Sequence, residues 1–372
     1  MRKILSIFIL IMILIPVSIF AEEDALDVKI QKSIGAEETA VITSKSILNV
    51  KDKEGNNVKS LNTNTIKVSL SDGKIAFKNP VGKVIETDFD STGENIITSS
   101  SNIKVGKITY RGGISFRINN DKIDIVNRVN IEDYLRGVVP KEIGSSANIE
   151  ALKAQAVCSR SFAISNKNKF IKYGYNLDDT TTSQVYGGVN AEKKQTDKAI
   201  KETEGLLVYY NEKVAQTIFG ASSGGFVASA EDVWGGKDSP YLQSFTDPYS
   251  SEPWKFEINA TELANKLRNS DSTISYIPDL YISNRDGSGR VKELISSSGA
   301  TLTGAKLRSA LGSTKFKSTL FNVEQVGDKF IFTGTGYGHG VGMSQNGAMK
   351  MAKEGFSFSE ILTYYFRGVE IR

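Results

Sequence analysis

Cysteine and histidine are almost absent from this 372-residue chain, which holds one of each, Cys158 and His339. A lone cysteine excludes an internal disulfide framework. A lone histidine excludes a histidine-rich metal site, and any Ser-His-Asp arrangement would have to run through His339. An excess of one charge is missing too: 46 Lys and Arg stand against 42 Asp and Glu. Setting aside Arg2 and Lys3, which belong to a leader described below, leaves 44 against 42. So small a surplus points to no nucleic-acid partner. Internal repeats and low-complexity tracts are absent. What is present is ordinary for a globular protein, with 40% hydrophobic and 24% charged residues. Disorder and coiled coil are excluded for most of the chain, and its length suits two or three domains.

There is one long apolar run, Ile4 to Phe20, behind a basic start and followed by Ala21 and then Glu22-Glu23-Asp24. Residues 1–21 therefore read as a secretory signal. Ile19 stands where a smaller residue is preferred before cleavage, and 17 apolar residues reach the lower limit for crossing a bilayer. An uncleaved membrane anchor through residues 4–20 is the alternative. Either way the expectation is an extracytoplasmic protein, secreted or anchored in the membrane. Its core must hold without disulfides, which about 350 residues can do.

Residues 22–105 read as a β-rich accessory region without a catalytic cluster. Ile66, Val68 and Leu70 alternate with polar neighbours, and Glu54-Gly55-Asn56 and Asp72-Gly73 are turn signals. Further on, Ile114, Phe116 and Ile118 alternate, as do Ile123, Ile125, Val129 and Ile131 with one break at Asn127. Asn119-Asn120-Asp121 joins the two runs as a hairpin. The period then becomes helical over 149–165, with Asn148 as N-cap and Glu150 in the first turn. A second helix is expected over 193–204, ending at Gly205, and strands 206–210 and 214–219 pair across Asn211-Glu212-Lys213. Ser357 and Glu360 form a capping box before a last helix that ends near Arg367-Gly368. The fold class is α+β, a β-rich N-terminal region followed by a mixed α/β domain over 106–372.

Four segments look unlike routine core. Residues 129–165 place Glu142 in an expected loop after an apolar strand, ahead of a helix carrying Lys153, Gln155 and Arg160. Lys153 and Arg160 are two turns apart and share a face. That face fits either substrate binding or plain solvation. Residues 177–188, LDDTTTSQVYGG, bring hydroxyls, the Gln184 amide and the Tyr186 ring, which match a sugar's hydroxyls and apolar faces; a polar loop reads the same way. Residues 219–236 hold Ser222-Ser223-Gly224-Gly225, a small-residue turn open to close ligand approach. It resembles the surroundings of a serine nucleophile, but no second histidine or suitably spaced lysine accompanies it. Residues 333–348 carry Gly334, Gly336, Gly338, Gly340 and Gly342 at period two. As a strand they would leave one face bare and put His339 on the other with Tyr337 and Val341. The bare face would admit a helix, a strand or a substrate.

In this order the phrases YRGGISF, VNRVNIEDYLRGVVPKEI, EALKAQAVCSRSFA, SQVYGG, SSGG, SGRV, LRSALGS and GYGHGVGMSQNGAMKMAKEGFSFSEIL resemble the SpoIID/LytB family of bacterial cell-wall proteins, over roughly residues 103–372. The resemblance implies a SpoIID-type catalytic domain over 106–372 and action on peptidoglycan glycan strands. In the stage II sporulation protein D branch it implies a lytic transglycosylase, which cuts strands stripped of stem peptides during engulfment. In the LytB branch it implies a modifier of a wall amidase. The partners implied are glycan strands, other cell-wall hydrolases and sporulation membrane proteins. The family's catalytic glutamate falls on Glu142, with Ile143 where the family has methionine. Lys153, Gln155, Arg160, Gln184, Tyr186, Ser222, Ser223, Gly224, His339 and Gln345 are the expected substrate-binding residues. Family members that bind zinc do so through Cys and His at the place held here by Thr181-Thr182-Ser183, so neither a metal nor another cofactor is expected. One carboxyl suffices for a transglycosylase. Its pKa must be raised, which apolar Val138, Val139, Pro140 and Ile143 around Glu142 would favour.

Overall fold

A computed structural model describes residues 25–372, with 237–238, 270–271 and 275 outside the described set. The expected leader over 1–21 also lies outside it. No helix among the described residues is long and apolar enough to cross a membrane. The architecture is α+β with a β-rich N-terminal region, as the sequence leads one to expect.

Two sheets face each other in the first half. The seven-stranded sheet runs, edge to edge, 177–178, 25–34, 122–130, 113–119, 96–98, 49–51 and 57–60. The six-stranded sheet runs 108–110, 103–105, 39–44, 65–71, 74–78 and 84–89. The alternating residues Ile66, Val68 and Leu70 point into the space between them, with Ile114 and Phe116 from the facing sheet. The hairpin at Asn120 and Asp121 is formed with both residues at positive φ (50° and 54°), as an Asn-Asp turn between twisted strands requires. Leu26, Val28 and Ile30 sit in this same core, because strand 25–34 pairs along strand 122–130.

Eight helices are described among these residues: α1 (Ile131–Glu142), α2 (Ile149–Ser165), α3 (Lys194–Glu202), α4 (Ala230–Trp234), α5 (Ala260–Arg268), α6 (Gly304–Leu311), α7 (Gln345–Lys353) and α8 (Phe358–Tyr365). α2 begins at Asn148, whose side chain accepts from the Glu150 N–H, and α8 begins with the Ser357/Glu360 capping box. α1 replaces the expected strand and loop. Asn130 caps it by accepting from the Glu132 N–H, and Glu132 and Asp133 complement the dipole in its first turn. Pro140 sits inside the last turn, where its missing N–H costs the helix the bond to the carbonyl four residues back.

α1 bridges two cores. Tyr134 and Val138 pack into the β-sandwich, while Leu135 and Val139 pack against Ala156 of α2 and Ile200 of α3. Gly137 lets Tyr186 lie against the helix, since a Cβ there would come within 2.4 Å of the ring. The Tyr186 hydroxyl donates to Asn127 Oδ1 (3.0 Å), and Asn127 Nδ2 donates to the Arg111 and Gly113 carbonyls. The break in alternation at Asn127 is thus a buried polar residue with its bonds made.

Helices α2, α7 and α8 share a second core. A third lies within residues 254–332, where α5 and α6 cover two three-stranded sheets. The glycine-rich tract links the third core to the second, and it is not a strand. The strand ends at Thr335, and Gly336, Gly338, Gly340 and Gly342 all have positive φ (86°, 107°, 79° and 69°). Alternate residues in the left-handed region break the pleat, so no bare face forms. Close packing is still what these glycines serve. Gly336 lies against the backbone of Ser222 and Gly224, and Gly342 against the Ile218 carbonyl.

Candidate functional site

Glu142 ends α1 at the wall of a cavity of about 450 Å³. Its Oε1 accepts from the Val185 N–H at 2.9 Å. Burial raises its pKa above the ordinary glutamate value, and the Val185 bond offsets only part of that. The C-terminal end of a helix adds no stabilisation for an anion. Phe162, Ile218, Phe219 and Trp234 line the apolar side of the cavity. Val138 and Val139 do not, because successive helix residues point about 100° apart, and both are spent in the cores. Asn166, Gln216, Thr181, Thr182 and Ser183 supply amides and hydroxyls, and the Lys169 ammonium bonds the Thr182 carbonyl. Glu142 is the only carboxylate among the described residues that line it.

His339 lines the same cavity, its ring 5.1 Å from that of Trp234. Its Nδ1 accepts from the Val341 N–H (3.0 Å), which leaves the ring proton on Nε2. Burial, then the Arg290 and Arg308 guanidiniums, push its pKa down to about 4. The imidazole is therefore neutral at physiological pH.

Of the expected substrate-binding residues, His339 alone reaches this cavity; the others, Lys153 apart, are buried within the protein. Arg160 is 1% exposed and clamps Glu132 with two bonds of 2.7 Å, while also donating to the Leu206 carbonyl. Gln155 donates to Ser159 and accepts from Gln345 (3.2 Å), tying α2 to α7. Gln184 lies buried between Tyr134 and the Ser159 carbonyl. Tyr186 is in the sandwich core. Ser222 and Ser223 are buried, bonding Ser250 and Asp247 respectively. Gly224 sits against Gly336, where a Cβ would meet backbone at 2.7 Å.

Lys153 pairs with Glu150 and Glu202, both at 2.9 Å, on the outer face of α2. Such a partly exposed pair contributes about 0–1 kcal/mol. We expect Lys153→Met to shift the denaturant midpoint only slightly; a large loss of stability would show that the pair holds α2 in place.

Several lining residues escaped the sequence reading: Phe162, Asn166, Lys169, Gln216, Phe219 and Trp234. Trp234 alone had a usable signal, a large ring placed before Gly235-Gly236, and it is 54% exposed. In chemical terms the cavity offers one proton-donating carboxyl, a neutral imidazole, aromatic faces and a row of amides and hydroxyls.

Residues 119–210 match the model for the stage II sporulation protein family, and residues 252–342 match that of a domain of unknown function. An uncharacterized protein of Brachyspira hyodysenteriae is 35% identical over 271 residues, 71% of this chain and 72% of its own length. The stage II sporulation protein D of Bacillus subtilis is 32% identical over 273 residues, 66% of this chain and 75% of its own. The amidase enhancer of Bacillus subtilis is 32% identical over 289 residues, 64% of this chain but 40% of its own length.

Proposed function

Since the chain belongs to the SpoIID/LytB family of cell-wall proteins, we propose that it is a peptidoglycan lytic transglycosylase with Glu142 as its one acid and base. The observation that carries this reading is the solitary carboxyl of the cavity. A hydrolase of the common kinds brings two carboxylates to the scissile bond. Among the described lining residues a second is absent, and in this reading one group serves both half-steps.

In the first half-step the Glu142 carboxyl gives its proton to the glycosidic oxygen, and the bond from C1 of N-acetylmuramic acid to that oxygen breaks. N-acetylglucosamine leaves with a new hydroxyl, and the neighbouring N-acetyl group shields the cation at C1. In the second, the carboxylate takes the proton of the C6 hydroxyl, whose oxygen closes on C1 to form the 1,6-anhydro ring. Water is not consumed, and Glu142 ends as it began. A raised pKa suits the first step, and the apolar side of the cavity supplies it. The names of the sporulation relatives support a setting of wall remodelling in sporulation, and the apolar leader supports export.

The test is incubation with purified glycan strands. The expected products carry anhydro ends and are lighter by one water than those of a hydrolase. The amidase-enhancer relative supports a second reading, a wall-binding partner of an amidase. Binding without cleavage, together with acceleration of a wall amidase, would replace the enzyme by that partner.

A further inference from the structure

A second chamber, of about 750 Å³, adjoins the Glu142 cavity, and Trp234 and His339 line both. Its far wall comes from residues 286–319, inside the region that matches a domain of unknown function. Three cations line it: Arg290, Lys292 and Arg308. None of the three forms an ion pair among the described residues.

Two carboxylates are among the described residues that line the chamber, and each accepts hydrogen bonds from its own turn or helix start. Asp286 Oδ1 accepts from the Ser288 and Arg290 N–H groups and the Ser288 hydroxyl, closing a turn. Asp232 Oδ2 accepts from Ser229 at the start of α4 and lies on the Gly287 side of the chamber.

Arg290 is 2% exposed and spends its Nη groups on the Ser223 and Phe226 carbonyls and the Ser288 hydroxyl, with Nε left unpartnered. Arg308 is different. Its Nε donates to the Lys317 carbonyl at 3.0 Å, while its two Nη groups have no acceptor among the described residues. Burial lowers its pKa, and no carboxylate offsets that. A half-buried guanidinium facing a cavity, with neither of the carboxylates that line it paired to it, is costly unless an anion visits it.

The geometry points to an anion-binding subsite in this chamber, centred on Arg308, that holds the lactyl carboxylate of a muramic residue on the same glycan strand whose neighbouring bond lies at Glu142. The subsite rests on the glycan reading above and gives the 252–342 region a role in it. A strand crossing the Trp234–His339 wall would lay a sugar face on the half-exposed Trp234 ring and bring an acidic substituent to the Arg308 fork. A carboxylate suits the paired Nη donors, and Lys292 adds to the field.

The experiment uses the full chain carrying Glu142→Gln, so that nothing is cut. It is titrated with muramic-acid-containing glycan oligomers, either as free acids or with the lactyl carboxylates methyl-esterified, and tryptophan fluorescence is read. The free acid should bind about tenfold more tightly than the ester, and the advantage should shrink with added salt. Arg308→Gln should abolish the difference and leave ester binding alone. Arg308→Lys, which keeps the charge and loses the fork, should restore part of it, with thermal melting confirming that each variant folds. Equal affinity for acid and ester overturns the subsite, as does an Arg308→Gln variant that weakens both alike. Cleavage by the parent enzyme alongside equal affinities would overturn the subsite and leave the transglycosylase standing. Absence of binding to either oligomer overturns both.

Discussion

Glu142→Gln should lower the rate of glycan cleavage roughly 10⁴-fold, the upper end for loss of one acid–base group, equal to about 5 kcal/mol of barrier. The upper end is expected because the same carboxyl acts in both half-steps. Folding should be intact, since the glutamine oxygen can still accept from the Val185 N–H. The pH dependence has a definite sign. The reactive form is the protonated acid, so cleavage should fall as pH rises through the elevated Glu142 pKa. His339, held near 4, stays neutral from pH 5 to 8 and should add no limb there. Stability should move the opposite way from activity. A buried acid with a raised pKa stabilises the fold relatively at low pH and costs stability once pH passes through the folded-state value. Glu142→Gln removes that cost, so the variant should be more stable than the parent at pH 7, with the gap closing as pH falls toward the ordinary value of 4.5. Full activity in the variant, or a parent that is the more stable of the two at pH 7, would remove Glu142 from the role of acid.

What could be read in the sequence was local. The helices α2 and α8 announce themselves through side chains that bond their own first turns, Asn148 and the Ser357/Glu360 box. The 119–122 hairpin does so through residues that tolerate positive φ. α1 carried the same kind of signal in Asn130, Glu132 and Asp133, but the alternation through Val129 and Ile131 reads as strand, with Glu142 in a loop after it. Burial of Tyr134, Leu135, Val138 and Val139 in two cores outweighs that propensity. The glycine tract misled for a related reason. Spacing shows periodicity, yet positive φ at every second residue is set by what packs there.

The site divides along the same line. Glu142 could be named from its motif. The polar residues around it in sequence look functional because they are polar, and only the fold shows that Arg160, Gln155, Gln184 and Tyr186 make their bonds inside the protein. The cavity wall proper is drawn from α1, the end of α2, residues 181–183, 216–219, Trp234 and His339. No window of sequence contains that assembly.

Gly340→Ala should be the most damaging change in the glycine tract, at a cost of more than about 4 kcal/mol, and it should prevent folding in a chain of ordinary stability. Two terms combine. The residue sits at φ +79°, where a side chain costs about 1–2 kcal/mol. Its Cβ would also lie 1.9 Å from Arg290 Nη2 and 2.4 Å from Cζ. Arg290 is buried and cannot swing into solvent without abandoning the Ser223 and Phe226 carbonyls. Breaking a buried charge out of its bonds costs about 3–5 kcal/mol. The glycine is therefore required by a guanidinium, where the sequence reading had placed a bare strand face open to a helix or a glycan. Gly338→Ala separates the two terms. It has a similarly unfavourable φ of +107°, but the nearest atom to its Cβ is 4.0 Å away. It should cost only the backbone strain, about 1–3 kcal/mol, and remain folded. Chemical denaturation of the two variants beside the parent measures the difference. Equal losses would show that backbone strain alone fixes these glycines, and that Arg290 yields to a methyl group without consequence.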